Sequence, residues 1–244
     1  MRNVMVILKR EFASYFATPL ALVFIVIFLI FAGVFAFYIG GFYERGQSDL
    51  APFFSYHPWL YLFLIPALSM RLWAEERKSG SIELLMTLPV TPWQTVLGKY
   101  LAAWGFAGVA LALTFPIWIT VNYLGDPDNG AIFAGYVGSL LMAGGFLAIG
   151  SCLSAATRNQ VIAFILTVVA CFVFLFSGFA LVLNVFEGWA PQAVIDAVAS
   201  LSFLTHFQSI SKGVIDARDL LYFATLIAVW LAANTIVLEM KKAD

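Results

Sequence analysis

Charged side chains are scarce in this chain of 244 residues: Lys, Arg, Asp and Glu make up 11% of it, whereas 62% is hydrophobic. A soluble globular chain is about a quarter charged and about half apolar. A water-soluble fold of this length could not bury so many apolar residues, because the fraction of its surface that a chain buries rises only slowly with chain length. The composition therefore excludes an ordinary soluble domain and indicates that lipid surrounds much of the chain.

Other absences exclude further classes of protein. The sequence has no block of basic residues. It also has no stretch in which aromatic and basic residues alternate, as in segments that bind the phosphates of a nucleic acid. Both absences argue against nucleic-acid binding. Its two cysteines, Cys152 and Cys171, lie in apolar runs, where they serve as small packing residues and do not indicate a compartment. A phosphate-binding loop is also missing, since Gly98-Lys99 lacks the earlier glycine and the following hydroxyl. If ATP is used, another chain must bind it.

What the sequence does contain is apolar runs without any Asp, Glu, Lys or Arg. A helix needs about 20 such residues to cross the hydrocarbon layer, and helices satisfy their backbone hydrogen bonds within one segment. The runs do not alternate polar and apolar residues, as a membrane barrel would. The prediction is an all-α polytopic protein, one permease domain over 1–244, with six transmembrane helices. These are expected at Leu20–Gly41, Phe53–Met70, Tyr100–Tyr123, Ile132–Ala156, Val161–Phe186 and Leu220–Leu238.

The positions of Lys and Arg predict the orientation. With a cytoplasmic N-terminus, only Arg45, Lys212 and Arg218 fall outside, and the other basic residues fall inside. This bias predicts that both termini are cytoplasmic. The first run is expected to be an uncleaved span rather than a signal peptide, because 19 residues precede it and no small-x-small cleavage site follows it.

The segment 1–18 is expected to form an amphipathic helix that lies in the membrane interface. Apolar residues recur there at helical spacing and share a face with Glu11, while Pro19 marks the bend into the first span. A simple extension of the first span is the alternative. The apolar stripe consists of Val4, Ile7, Leu8, Phe12, Tyr15 and Phe16.

Two of the predicted loops are longer than is needed to join two successive spans. In the cytoplasmic loop 71–99, Ser79 or Ser81 can cap a short helix that begins near Ile82 and ends at Pro89. Its acidic residues would be repelled by an anionic leaflet, so a protein partner suits this loop better than lipid headgroups do. The extracytoplasmic loop 187–219 shows helical spacing in pieces too short to cross. This loop is expected to dip into or cap the outer end of the transmembrane bundle. A simple packed loop is the alternative.

The run Glu75-Glu76-Arg77-Lys78-Ser79-Gly80-Ser81-Ile82-Glu83-Leu84-Leu85, followed by Leu88-Pro89-Val90, resembles a signature of ABC-2-type permeases of ABC transporters. The six spans, the N-terminal helix, the acidic loop and the helical outer loop also match that family, so the resemblance covers essentially the whole chain. Within the family, the chain is most similar to permeases of gliding motility and of nitrous-oxide-reductase maturation. The segments Leu204-Thr205-His206-Phe207 and Lys212-Gly213-Val214-Ile215-Asp216 share that likeness.

The resemblance implies a permease of an ATP-driven exporter in a bacterial inner membrane. The loop after the second span would act as a coupling helix resting in a groove of a separate ATPase, which would bind ATP and Mg; this chain itself would carry no cofactor and no catalytic residue. Two ATPase chains and a second permease, identical or related, are implied partners beside membrane lipids, and an auxiliary periplasmic protein is compatible with them. The implied ATPase contacts are Glu75, Glu76, Arg77, Gly80, Ser81, Ile82, Glu83 and Leu84.

Other functions have weaker support. A force-transmitting membrane scaffold that moves no cargo would share the coupling loop, and it stays open. An ion-coupled transporter usually carries ionisable groups deep in its spans, and the predicted spans contain no acidic or basic residue beyond His57 near an outer boundary. A metal enzyme would need ligand spacing that His57, His206, Asp126 and Asp128 do not show. Both histidines are instead expected to be surface groups.

Small and polar residues within spans are expected to pack helices. Ala131, Gly135, Ser139 and Ala143 recur at every fourth position of the fourth span, which would let another helix of the same subunit approach closely. Asn122, Asn184 and Asn234 could line a substrate path, but they are expected to hydrogen-bond neighbouring helices instead.

Charge reversal in the coupling loop is the experiment that the sequence suggests. A double Glu76→Lys, Glu83→Lys variant is expected to abolish stimulation of the partner ATPase while the spans stay folded, because both carboxylates would lie at the contact. Normal ATPase stimulation by the variant in a detergent assay would contradict the contact.

Overall fold

The computed structural model describes residues 2–46, 48–81, 89–186 and 190–241. Every regular element in these ranges is helical, which confirms the all-α prediction. The α-helices are α1 (Arg2–Phe16), α2 (Pro19–Gly33), α3 (Ala51–Ser55), α4 (His57–Ser69), α5 (Arg71–Ser79), α6 (Pro92–Ala112), α7 (Phe115–Leu124), α8 (Asn129–Ala156), α9 (Gln160–Phe176), α10 (Ala180–Phe186), α11 (Gln192–Ser200), α12 (Phe203–Ser211) and α13 (Ala217–Met240). A π-helical stretch, Val34–Ile39, prolongs α2.

Four helical stretches in the described ranges are long and apolar enough to cross a membrane: Ala21–Ile39, Pro92–Leu124, Asn129–Ala156 and Ala217–Met240. They correspond to the predicted first, third, fourth and sixth spans. The pair α11 and α12, bent by 61°, would make a fifth if the two helices were counted as one span. That pair lies in the predicted outer loop.

The predicted second and fifth spans form shorter helices. The second is divided into α3 and α4, each with a proline near its start, and Pro66 lies inside α4. Proline has no N–H to donate, so such positions end or interrupt a helix. The 13 residues of α4 reach about 20 Å, less than the hydrocarbon thickness of about 30 Å.

The predicted fifth span ends as α9 at Phe176 and resumes as α10. Gly178 lies at the break, where a Cβ atom would approach within 2.7 Å of the Cβ of Ser202. Ser202 caps α12 and its hydroxyl donates to the Leu175 carbonyl at 3.3 Å. The start of α12 therefore packs against the end of α9 at this turn.

Helix α8 is the centre of the fold, because it contacts α4, α5, α6, α9, α12 and α13. In its most apolar stretch, 72% of the residues are buried. Its glycines make these approaches possible. A Cβ atom at Gly135 would lie 2.5 Å from the Phe54 ring, and one at Gly145 would lie 2.6 Å from the Phe203 ring. The predicted small-residue face, which includes Gly135 and Ser139, thus packs against helices of the same chain, as expected.

Helix α1 is amphipathic as predicted, but its apolar face packs on protein. Ile7 is buried against α6, and the Tyr15 ring stacks on Phe106 with centroids 5.0 Å apart. Gly98 of α6 faces Ile7, while Gly105, two turns further on, faces Phe12. The stripe that the sequence assigned to the membrane interface is therefore largely used to dock α1 onto α6.

The two glycines of α6 provide a matched test of this docking. Gly98→Ala would place a Cβ atom 2.8 Å from the Ile7 Cβ and 3.3 Å from the Val4 carbonyl oxygen, so α1 must shift. We expect a loss of about 1–3 kcal/mol, as for other overpacked contacts. Gly105→Ala meets Phe12 at an ordinary 3.5 Å and should be neutral or stabilising, because alanine favours helix. Thermal unfolding in detergent measures both; equal melting temperatures would contradict the packing.

Candidate functional site

The candidate site is α5, the helix that carries the start of the predicted coupling loop, together with its contacts. The first amides of a helix have no partner within the helix. Here Ser154 of α8 supplies one, because its Oγ accepts from the amides of Trp73 at 3.2 Å and Ala74 at 3.1 Å. The same hydroxyl donates to the Met70 carbonyl at 2.9 Å. One serine thus fixes the start of α5 to the central helix.

The Trp73 side chain makes a second connection. It is fully buried, and its indole N–H donates to Ser151 Oγ of α8 at 3.1 Å. The Asn234 amide of α13 donates to the same oxygen at 2.7 Å. Ser151 therefore joins α5, α8 and α13 at one point, and the prediction that Asn234 bonds a neighbouring helix is confirmed.

A buried cation forms the third connection. Lys99 of α6 is 3% exposed, and its Nζ lies 2.7 Å from Glu76 Oε1 of α5 and 3.3 Å from Glu11 Oε2 of α1. The same Nζ lies 5.2 Å from the centroid of the Trp73 ring. A shielded ammonium is stable only when carboxylates and donors surround it. Lys99 consequently ties α1, α5 and α6 together.

The charges also act on Glu11. Partial burial favours the neutral carboxyl and by itself would raise the pKa of Glu11, but Lys99 and Arg10 outweigh it and hold that pKa below its usual value. Glu11 therefore stays ionised beside Lys99. Burial, reinforced by the Glu11 charge, raises the pKa of the neighbouring Tyr15 hydroxyl, which stays neutral.

The predicted ATPase contacts separate into two groups. Glu75 is exposed and pairs with Arg71 along α5 at 3.0 Å, and Gly80 is exposed in the left-handed conformation that ends α5. Glu76 and Arg77 point inward, Glu76 to Lys99 and Arg77 to the carbonyl of Ala155.

Ser81 follows the turn, and its hydroxyl lies 2.9 Å from that of Ser79. Ile82, Glu83 and Leu84, and with them the predicted start of the coupling helix, lie outside the described residues.

Because Glu76 points inward, the effect of Glu76→Lys on ATPase stimulation would not be specific to a partner contact. Glu76→Lys would place two ammonium groups together at Lys99 and break an ion pair within the chain. Loss of ATPase stimulation could then follow from a loosened α5 instead of a lost partner contact. Glu75 is the better position for testing a partner.

Sequence reasoning missed Ser151, Ser154 and Trp73 as members of this site. Trp73 lies two residues after Arg71 and just before the acidic run. The available signal was the pair Ser151 and Ser154, three residues apart in an otherwise apolar span, since hydroxyls at that spacing share a helix face.

Both histidines are buried instead of exposed, so that prediction was wrong. His57 is shielded among Phe53, Phe54 and Tyr61, and its Nδ1 lies 2.7 Å from Ser139 Oγ.

His206 joins the end of α11 to the start of α13. Its Nδ1 lies 2.6 Å from Asp219 Oδ1 and its Nε2 lies 3.0 Å from the Ser200 carbonyl oxygen. Within the described ranges, no group of three or more His, Cys, Asp and Glu side chains could hold a metal ion.

Comparison with known families decides the class. The family model described as ABC-2 family transporter protein matches residues 43–236, well over half of the chain. The chain belongs to the ABC-2 transporter family. The matched range contains α5, Lys99 and all of α8, whereas α1 lies before it. No curated protein matches the chain.

Membership in the ABC-2 family makes the chain a membrane-embedded subunit of an ABC transporter and implies an ABC ATPase as its partner. The four long apolar helices agree with that placement. The resemblance inferred from the acidic loop is therefore confirmed at the level of the family, and the narrower likeness to gliding-motility and nitrous-oxide-reductase permeases has no support from the family match.

Removing the buried cation tests the ion cluster. Lys99→Met should cost about 3 kcal/mol of unfolding free energy, because it leaves Glu11 and Glu76 without their shared partner. Adding Glu11→Gln and Glu76→Gln to Lys99→Met should restore most of this loss. Lys78→Met, at an exposed position of α5, should change stability by less than about 0.5 kcal/mol. Thermal unfolding in detergent compares the four proteins, and equal losses at Lys99 and Lys78 would contradict the cluster.

Proposed function

We propose that this ABC-2 chain is the permease of an exporter and that α5 transmits the movement of a separate ATPase to the spans. The observation that carries the proposal is the three-way attachment of α5: to α8 through Ser154, to α13 through Ser151, and to α6 through Lys99. A force applied beyond Gly80 would move these helices with α5 instead of bending a loose loop.

The exposed surface of α5 supports a protein partner. Glu75 and Lys78 lie on the outer side of the helix, away from the buried Leu72, Trp73 and Ala74. Charged groups on such a surface set orientation and association rate more than affinity. The ATPase would bind this side and the following segment, and it would hold ATP and Mg on its own residues.

The proposal places the α5 end of the bundle in the cytoplasm of a bacterial cell, with the chain in the inner membrane. Arg71, Arg77, Lys78 and Lys99 cluster at this end, and cytoplasmic segments carry an excess of Lys and Arg. In a six-span topology, α3 and α4 would together form one broken span and α9 and α10 another. The cytoplasmic N-terminus would then agree with the placement of α1 against α6.

A second permease chain completes the proposed complex. Helix α9 leaves a row of large apolar side chains exposed, and lipid or a second chain could cover it. Two permeases would match the two ATPase chains that close on ATP. The exposed row contains Val161, Ile162, Ile165, Leu166, Val169, Phe172 and Val173.

Glu75→Lys tests the proposed contact with the ATPase. Glu75 is 50% exposed and its ion pair with Arg71 is worth less than about 1 kcal/mol, so the permease should remain folded. We expect the variant to lose about tenfold in affinity for the ATPase that co-purifies with the chain, equivalent to about 1.4 kcal/mol. Titration of the purified ATPase into reconstituted permease, followed by its ATP hydrolysis rate, measures the loss.

Glu44→Lys is the matched control, because Glu44 is exposed on the segment that follows α2, far along the chain from α5. It should leave ATPase affinity unchanged. Equal affinities for the wild type and Glu75→Lys would contradict the contact at α5. A chain that purifies without any ATPase and stimulates none would contradict the proposed function itself.

A further inference from the structure

His206 lies between two oxygen atoms that both require an N–H group. Its Nδ1 lies 2.6 Å from Asp219 Oδ1, and its Nε2 lies 3.0 Å from the Ser200 carbonyl oxygen. A neutral imidazole carries one N–H and can donate to only one of these acceptors, whereas an imidazolium donates to both. Asp carboxyl groups ordinarily titrate at about pH 3.9 and imidazoles at about pH 6.5, so the proton between the two side chains belongs on Nδ1. The geometry therefore requires a protonated His206.

The aromatic neighbour of His206 also favours the cation. The Tyr222 ring of α13 stacks on the imidazole, with ring centroids 4.0 Å apart. The face of an aromatic ring attracts a positive charge at such a distance. Protonation of His206 is therefore favoured by the carboxylate at its edge and by the ring on its face.

Other charged side chains do not compete for His206. Helices α3, α8 and α9 also pack against α12, and their sequences contain no Asp, Glu, Lys, Arg or His. The charged residues of α11 and of the segment around the start of α13 are exposed, apart from Asp219. These exposed residues are Asp196, Lys212, Asp216 and Arg218. Among the described residues, Asp219 and Tyr222 are thus the titratable groups that face His206.

Asp219 depends on the proton of His206. It is 6% exposed, and its Oδ2 is buried without a hydrogen-bond partner among the described residues. Protonated His206 neutralises this carboxylate, whereas a neutral His206 would leave a buried charge without compensation, which is costly. Loss of the proton therefore disfavours the present arrangement and favours one in which water reaches Asp219.

The contacts of His206 hold a bend in the chain. Helices α11 and α12 meet at an angle of 61°, and Ser200 is the last residue of α11. His206 binds the Ser200 carbonyl, and Tyr222 Oη donates to the carbonyl of the next residue, Leu201, at 2.5 Å. The end of α11 is thereby attached to α12 and α13.

This bend lies far from α5 along the bundle. Asp219 precedes Asn234 on α13 by 15 residues, which corresponds to about 22 Å of helix. Asn234 is the residue of α13 that shares Ser151 with Trp73 of α5. The contacts of His206 and those of α5 therefore belong to opposite ends of α13.

We propose that His206 and Asp219 form a proton-dependent latch, in which protonated His206 joins the Ser200 carbonyl of α11 to the carboxylate of Asp219 on α13. When the proton leaves, one of the two hydrogen bonds is lost and α11 is released from α13. Such protonation changes at histidine switch contacts between packed elements near neutral pH.

The sign of the pH dependence follows from the proton that the closed latch binds. Above the pH range in which carboxyl groups titrate, the stabilisation is complete below about pH 6.5, where an exposed imidazole is also protonated. It is lost as the pH rises through the titration of the folded latch. In the orientation proposed above, this end faces outward and would respond to the pH outside the cytoplasm; that placement alone rests on the proposed function.

Nitrogen-15 NMR of the full chain in detergent micelles, with the label confined to histidine, tests the protonation. The chain contains two histidines and is purified without a polyhistidine tag, so His206→Gln assigns the ring signals of both. We expect His206 to carry N–H groups on both ring nitrogens at about pH 5.5 and to lose one proton by about pH 9.5.

Hydrogen exchange of the segment 192–200 tests the release of α11. After correction for the intrinsic pH dependence of exchange, we expect its protection to fall about tenfold or more between about pH 5.5 and about pH 9.5. The excess of the wild-type melting temperature over that of His206→Gln should shrink by about 4 °C over the same range, because a charged hydrogen bond is lost.

Two Asp variants assign the effect to the latch. Asp219→Asn should abolish the pH dependence of the protection, because its amide N–H donates to Nδ1 of a neutral imidazole while Nε2–H donates to Ser200. Asp196→Asn, at an exposed position of α11, removes the same charge and should retain the wild-type dependence.

A single N–H on His206 at about pH 5.5, or no loss of a proton by about pH 9.5, would overturn the proposal. Titration of His206 with unchanged protection of 192–200 would also overturn it, since the proton would then bind without holding α11. If the variants do not fold, the wild-type titration and protection decide. A chain that stimulates no ATPase but shows both changes would contradict the proposed function and support the latch.

Discussion

The contact between Ser154 and the first amides of α5 is the interaction on which the rest of the candidate site depends. A buried helix start with unsatisfied N–H groups is costly, and the cost is greatest where no water can replace the missing partner. Ser154 removes that cost with one hydroxyl from α8, the most buried of the four long apolar helices. The direction in which α5 leaves the bundle is set by this contact, and the positions of Trp73 and Glu76 follow from it.

The ion cluster around Lys99 adds orientation to that attachment. A buried ion pair contributes little net stability relative to apolar packing, but it tolerates only one arrangement of its charges. Glu11, Glu76 and Lys99 come from three different helices, so the arrangement that satisfies Lys99 also fixes α1 and α5 on α6. For an ABC-2 subunit, such a rigid junction is suited to carry displacement from a partner into the spans.

Part of this could be predicted from the sequence, for physical reasons that differ between elements. Charge-free runs identified α2 with its π-helical continuation, α8 and α13 as helices long and apolar enough to cross a membrane, because hydrophobic length is a local property. The same criterion could not show the break between α3 and α4, although Pro58 signalled it, since the surrounding residues are uniformly apolar. Helix α1 was recognised from its periodicity, but periodicity does not say whether lipid or α6 covers the apolar face.

The candidate site was predictable as a segment and not as a set of contacts. The acidic run from Glu75 marked this segment as a predicted coupling loop through its resemblance to ABC-2 permeases. The partner of Glu76 lies 23 residues further along and the acceptor of the Trp73 indole lies 78 residues away, and no local pattern connects such positions. Which charges turn inward depends on the tertiary fold alone.

The central claim is that α5 and α8 move together during the ATPase cycle. Hydrogen exchange of the segment 71–79, measured in the permease–ATPase complex with and without ATP and compared with that of 146–156, tests it most directly. We expect both segments to keep the same slow exchange in both states, because Ser154 holds the amides of Trp73 and Ala74 throughout. Faster exchange of 71–79 on adding ATP, with 146–156 still protected, would contradict it and show that α5 detaches from the bundle.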